Sequence, residues 1–169
     1  MSCFRWKYQF SSRRVLSVGG VLRLALCFCL LSVSVVYGFD DGVTGTWKTE
    51  DGRALIDIYH CGANICGRVA WLREPCFPAD DREGMAGKPR VDRHNPEPEL
   101  RNRRVIGLQI MAGFTREGEN RWEHGTIYDS DTGNTYRARL TLISPDRLDL
   151  HGYIGIPLFG RSQIWSRQK

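Results

Sequence analysis

From residue 44 onward, apolar and polar residues alternate in short runs broken by Gly, Asp, Asn and Pro. Alternation of period two marks strands with one buried face. Eight such runs stand at 44–49, 53–61, 66–72, 105–115, 120–129, 134–143, 147–154 and 160–167. The links Glu50-Asp51-Gly52, Arg116-Glu117-Gly118-Glu119, Ser130-Asp131-Thr132-Gly133 and Ser144-Pro145-Asp146 have the chemistry of hairpin turns. No segment sustains a helical period. Eight short strands joined mostly by tight turns predict an all-β fold, an eight-stranded antiparallel up-and-down barrel. A flattened sandwich is the alternative, because it gives the same alternation. A barrel of this size is either filled by side chains or holds one small ligand.

The pattern breaks at 73–104, between the third and fourth strands. Five prolines (Pro75, Pro78, Pro89, Pro96 and Pro98) and charges of both signs leave no period there. A connection this long is functional or disordered, so an ordered irregular lid and a floppy insert both stand as readings. Its second half carries specific turn chemistry, with Asp92 and Asn95 as turn-formers and each proline restricting its neighbour. Arg101 and Arg103 lie near enough in sequence to pair with Asp92, Glu97 or Glu99.

Ahead of the strands, residues 1–14 carry Arg5, Lys7, Arg13 and Arg14 without an acid, and 24–37 is apolar or small throughout. Val36-Tyr37-Gly38 precedes an acidic Asp40-Asp41. This is the three-part pattern of a secretory signal peptide, with cleavage expected near Gly38. A retained anchor is the rival, but Arg23 interrupts the apolar stretch and no basic stop-transfer cluster follows. The expected organisation is a signal peptide over 1–38 and one domain over 39–169, secreted to the periplasm, with no stable membrane span after cleavage. Cleavage removes five of the 24 basic residues and none of the 19 acidic ones, so the remainder is formally neutral. Net charge therefore gives no case for nucleic acid or an anionic membrane as partner.

Cys61 and Cys66 flank a four-residue turn between strand-like runs, within reach of a disulfide if the runs pair as a hairpin. The bridge would close a loop of about six residues, worth about 2 kcal/mol, and it requires an oxidising compartment. Cys76 is left over as a free thiol, an intermolecular link or a rival partner. Zinc, with His60 beside Cys61, is the competing reading of the cluster, but no second pair of ligands follows. Asp129, Asp131 and Gly133 resemble the start of a calcium loop whose closing acid is missing, which leaves a turn.

Several motifs together resemble the bacterial domain-of-unknown-function 2147 family (DUF2147), small exported proteins regarded as lipocalin-like. They are Gly45-Thr46-Trp47, Tyr59-His60-Cys61-Gly62 with Cys66-Gly67, Asp92-Arg93-His94-Asn95-Pro96 with Leu100-Arg101-Asn102-Arg103, Trp122-Glu123-His124-Gly125-Thr126-Ile127-Tyr128-Asp129, Gly133-Asn134-Thr135-Tyr136, and Gly152-Tyr153-Ile154-Gly155 with Phe159-Gly160-Arg161. The resemblance covers nearly all of the chain after the signal. It implies a lipocalin/calycin-like barrel and an envelope location. Lipocalins also carry Gly-x-Trp on the first strand and a basic residue near the last. Trp47 and Arg167 stand in those places, where an arginine stacked on an indole closes one end of the barrel.

The candidate chemistry lies on the inward faces. Alternation on the fifth strand groups Trp122, His124, Thr126 and Tyr128, and on the sixth Tyr136, Ala138, Leu140 and Leu142. Aromatic rings with polar tips stack and orient a small ligand. The expected ligand-lining residues are therefore Trp122, His124, Tyr128 and Tyr136, with Arg68 or Arg101 meeting an acidic group at the mouth. The chain has no Gly-x-Ser-x-Gly elbow, phosphate loop or His-Glu-x-x-His, so no catalytic residue, cofactor or metal is expected. A small, partly apolar molecule is the expected partner. The alternative is a filled barrel acting as an envelope interaction protein through a protein partner.

Overall fold

The computed structural model describes residues 41–169. The expected signal peptide lies outside the described residues. The strands are β1 (Gly45–Lys48), β2 (Ala54–Cys61), β3 (Asn64–Leu72), β4 (Gln109–Arg116), β5 (Arg121–Asp129), β6 (Asn134–Ser144), β7 (Arg147–Tyr153) and β8 (Gly160–Arg167). Each pairs antiparallel with the next, and β1 pairs with β8 to close the barrel. That closure excludes the sandwich. No described helix is long and apolar enough to cross a membrane.

Two boundaries differ from expectation by more than one residue. β3 begins at Asn64, so only Gly62 and Ala63 turn between β2 and β3. Gly62 supplies the left-handed conformation that a two-residue hairpin needs (φ 71°). Cys61 faces Asn64 and Cys66 faces Tyr59 in the register, and the disulfide joins Cys61 to Cys66 across a Cα separation of 5.8 Å. Cys61→Ser should therefore lower unfolding free energy by about 2 kcal/mol, read from urea melts of the two proteins. The other difference is β4, which begins at Gln109. Val105 and Leu108 belong to the preceding loop, which bonds to β3 through Val69 N–H to the Leu108 carbonyl and Gly107 N–H to the Val69 carbonyl.

An up-and-down barrel places alternate connections at opposite ends. The interior divides along the same axis. Toward the short β2–β3, β4–β5 and β6–β7 turns it is solid, plugged by Trp47, Phe114, Trp122, Met111, Leu140 and Leu148. Gly125 lies against the Phe114 ring, where a Cβ would stand 2.3 Å from ring carbons. Trp47 closes this end, donating from its indole N–H to the Val43 carbonyl at 2.8 Å. The Arg167 guanidinium stacks 4.2 Å from the Trp47 ring centroid and donates to the carbonyls of Pro145, Thr44 and Gly42. Toward the β1–β2, β3–β4, β5–β6 and β7–β8 connections the barrel is hollow.

Candidate ligand cavity at the open end

The hollow half holds a cavity of about 660 Å³. Its apolar wall includes Ile56, Val69, Ile110, Ile127, Leu150 and Trp165. Its rim is charged: Arg53, Arg73, Arg90, Arg93 and Arg161 stand with Asp51, Glu74, Asp129 and Asp131. Most rim arginines are engaged. Arg53 and Arg90 lie 3.6 and 3.7 Å from Asp131 carboxylate oxygens, and Arg90 also pairs with Glu74 at 3.5 Å. Arg73 donates to the Asp51 and Gly52 carbonyls. Among the described residues the Arg161 side chain has no hydrogen-bond or ion-pair partner, and it is exposed. An apolar wall with arginines at the mouth suits a molecule with an apolar body and an acidic head.

The segment between β3 and β4 shapes this rim, and it is pinned at several points. Two isolated bridges, Cys76 with Pro89 and Val91 with Arg104, fold it back on itself. Phe77 is buried beneath Arg93, whose guanidinium carbon sits 4.3 Å from the ring centroid. Arg93 also donates to Asp81 at 2.7 Å, which holds that carboxyl below its usual range. Next comes a knot around Asp92, which is fully buried. Its Oδ1 accepts from the Tyr128 hydroxyl at 2.5 Å, and its Oδ2 accepts from Asn95 Nδ2 at 2.8 Å and Arg103 Nε at 3.0 Å. Asn95 Nδ2 also donates to the Tyr128 hydroxyl, and Asn95 Oδ1 accepts from the Glu97 N–H. The segment finally docks on the β5–β6 turn. Gly133 is left-handed (φ 75°), and a Cβ there would come within 2.0 Å of the His94 carbonyl. His94 Nδ1 lies 2.6 Å from the Asp131 carbonyl.

Burial first, then the hydrogen bond to Asp92 and its charge, push the Tyr128 hydroxyl up to about 12 from 10.0. The folded protein thus holds this proton more tightly than the unfolded chain. The corresponding stability is present below pH 10 and is lost as pH rises toward 12. Tyr128→Phe should be less stable at neutral pH yet flatten the fall over that alkaline window. Urea melts across a pH series test this, and parallel curves for the two proteins would contradict it.

Of the six ligand-lining expectations, Tyr128 and Tyr136 lie on the cavity and the other four lie elsewhere. Trp122 belongs to the plug. His124 projects outside, its side chain 70% exposed and 3.7 Å from Glu117. Arg68 lies on the outer wall beside Asp57 and over Tyr59. Arg101 donates to the Asn95 carbonyl and buttresses the knot. For His124 the cause is a bulge on β5. His124 adopts φ 62°, and the register with β6 slips between Trp122 and Gly125. One extra residue exchanges the faces beyond it. Gly125 and Ile127 therefore follow Trp122 inward, opposite Ala138 and Tyr136. Tyr128 shares its side of the sheet with Thr126 and reaches the cavity at the rim, under the long segment. Arg161, Gln163 and Trp165 were not anticipated, although simple alternation on β8 carries them to the wall. Among the described residues no group of three His, Cys, Asp or Glu could hold a metal ion.

The closed eight-stranded barrel with one end plugged and the other hollow has a lipocalin-like fold. Protein HP1028 of the human pathogen Helicobacter pylori, which belongs to the lipocalin family, has the same fold at 21% identity. The match has a TM-score of 0.61 and covers 75% of this chain and 82% of that one. Residues 45–167 match the family described as "uncharacterized protein conserved in bacteria (DUF2147)", and the chain belongs to that family. No curated protein matches it.

Proposed function

We propose that this is an exported periplasmic protein that binds a small, partly apolar molecule with an acidic group in the open half of its barrel. The observation that carries the proposal is the cavity of about 660 Å³, apolar along its wall and rich in arginine at its rim. Its size falls in the range of small-molecule sites. Tyr136 and Trp165 offer rings on the wall, and Arg161 offers an uncommitted cation at the mouth. Export is supported by the basic, apolar and small-residue pattern of 1–38 and by a disulfide suited to an oxidising compartment.

Native mass spectrometry of protein recovered from the periplasm of cells expressing the full chain tests both parts. Extra mass that disappears on denaturation, on a chain beginning near Phe39, is the expected result. Protein found only in the cytoplasm at full length would refute export. A clean apo mass, with no stabilisation by any added acidic amphiphile, would refute ligand binding.

A further inference from the structure

The β7–β8 hairpin ends in Ile154-Gly155-Ile156-Pro157-Leu158-Phe159. Ile154, Ile156, Leu158 and Phe159 are 71%, 55%, 80% and 76% exposed, the four most exposed large apolar side chains among the described residues. They are held in that posture. Pro157–Phe159 form a single 3-10 turn, and the Phe159 N–H donates to the Ile156 carbonyl. His151 braces it from below, with Nε2 2.8 Å from the Pro157 carbonyl and Nδ1 2.9 Å from the Ser162 hydroxyl. Gly160 makes room for that ring, since a Cβ there would lie 2.3 Å from His151 Nε2.

The surroundings of the tip are cationic. Residues 151–163 contain Arg161 and no acid. On the adjoining strand Arg137 faces Tyr153 and Arg139 faces His151. The acids of the neighbouring β5–β6 turn are occupied, Asp131 by Arg53 and Arg90, and Asp129 by the Asp131 N–H and the Thr132 hydroxyl. The tip also borders the cavity, because Gly152 and Arg161 belong to its lining. Large apolar side chains beside basic ones suit the boundary between lipid headgroups and acyl chains.

We propose that this hairpin docks the protein on an anionic lipid surface. Leu158 and Phe159 enter the apolar boundary, Arg161 meets headgroup phosphate, and the cavity mouth faces the lipid. The ligand class is then an anionic single-chain amphiphile exchanged with that surface. This last assignment rests on the cavity function proposed above, whereas the docking does not.

The test is flotation of protein purified from cells expressing the full chain. One set of vesicles is phosphatidylglycerol with phosphatidylethanolamine, and the other is phosphatidylcholine alone. Wild type should float with the anionic vesicles. Leu158→Ser combined with Phe159→Ser should lower partitioning by about tenfold or more. Arg161→Gln should lower it about fivefold on anionic vesicles only. Any contribution from residues 1–38 is common to all variants and cancels in the comparison. The double variant should still bind cis-parinaric acid as wild type does.

Equal flotation of wild type and the double variant, or none for either, overturns the docking proposal. So does self-association of wild type that the double variant abolishes without any vesicle binding, which would make a second copy the occupant. Flotation with no binding of the fluorescent acid by wild type would overturn the ligand assignment and uphold the docking.

Discussion

Asp92→Ala should destabilise the protein by about 3 kcal/mol, the low end for removing one partner of a buried ion pair. The low end applies because the Arg103 side chain is 39% exposed and can turn to water. The remaining loss comes from the Tyr128 hydroxyl and the Asn95 amide, which keep each other at 3.1 Å but lose their shared acceptor. For a domain of this size the melting temperature should fall by roughly 10 °C. The defect should also be local. Asp92 ties the β3–β4 segment to β5, so protease cleavage within 78–88 should accelerate in the variant before global unfolding. A variant within 1 kcal/mol of wild type, as read to about that precision from urea melts, would show that the knot does not hold the rim.

Gly152→Phe should abolish ligand binding while leaving the fold intact. Gly152 lines the cavity, and a Cβ built there meets only Ile127 Cγ2, at an ordinary 3.9 Å. The ring would occupy the hollow half rather than strain the plug. Affinity should drop by at least about a hundredfold, or ~2.7 kcal/mol, because overfilled sites relax poorly. Cis-parinaric acid titration reads the loss, and a melting curve confirms that the barrel survives. Unchanged binding would place the ligand outside the barrel. Gly125→Phe cannot serve as this test, because its Cβ already collides with Phe114.

Most of the barrel was legible from alternation. Trp47 and Arg167 announced the closed end, and the two cysteines of the first hairpin announced their bridge. Asp92, Asn95 and Arg103 announced a turn with a charge pair, although its anchor on Tyr128 depends on a strand 36 residues further along. The cavity wall was harder to read. Nothing in Glu123-His124-Gly125 breaks the polar pattern, so the left-handed His124 and the exchange of faces beyond it leave no mark on periodicity. That bulge turned His124 out of the barrel, while Trp122 stayed inward but lies in the plug. The rim arginines were hidden for another reason. Arg53 comes from the β1–β2 connection, Arg73, Arg90 and Arg93 from the β3–β4 segment and Arg161 from the start of β8, and only the shared end of the barrel gathers them. Alternation reports which face of a strand is inward, not how far along the axis a residue lies. It therefore could not tell plug from cavity.

The β1–β8 seam has a further consequence, for the order in which the chain acquires its shape. Arg167 bonds to the Thr44 carbonyl across 123 residues of sequence. Every intervening hairpin can form between neighbours, but this seam waits until β8 has emerged from the ribosome. Until then β1 presents an open row of peptide groups, the kind of edge that recruits other chains. Late, long-range closure also slows folding. The growing chain is thus most vulnerable to aggregation just before its eighth strand arrives, and a holding chaperone would do most for it in that interval.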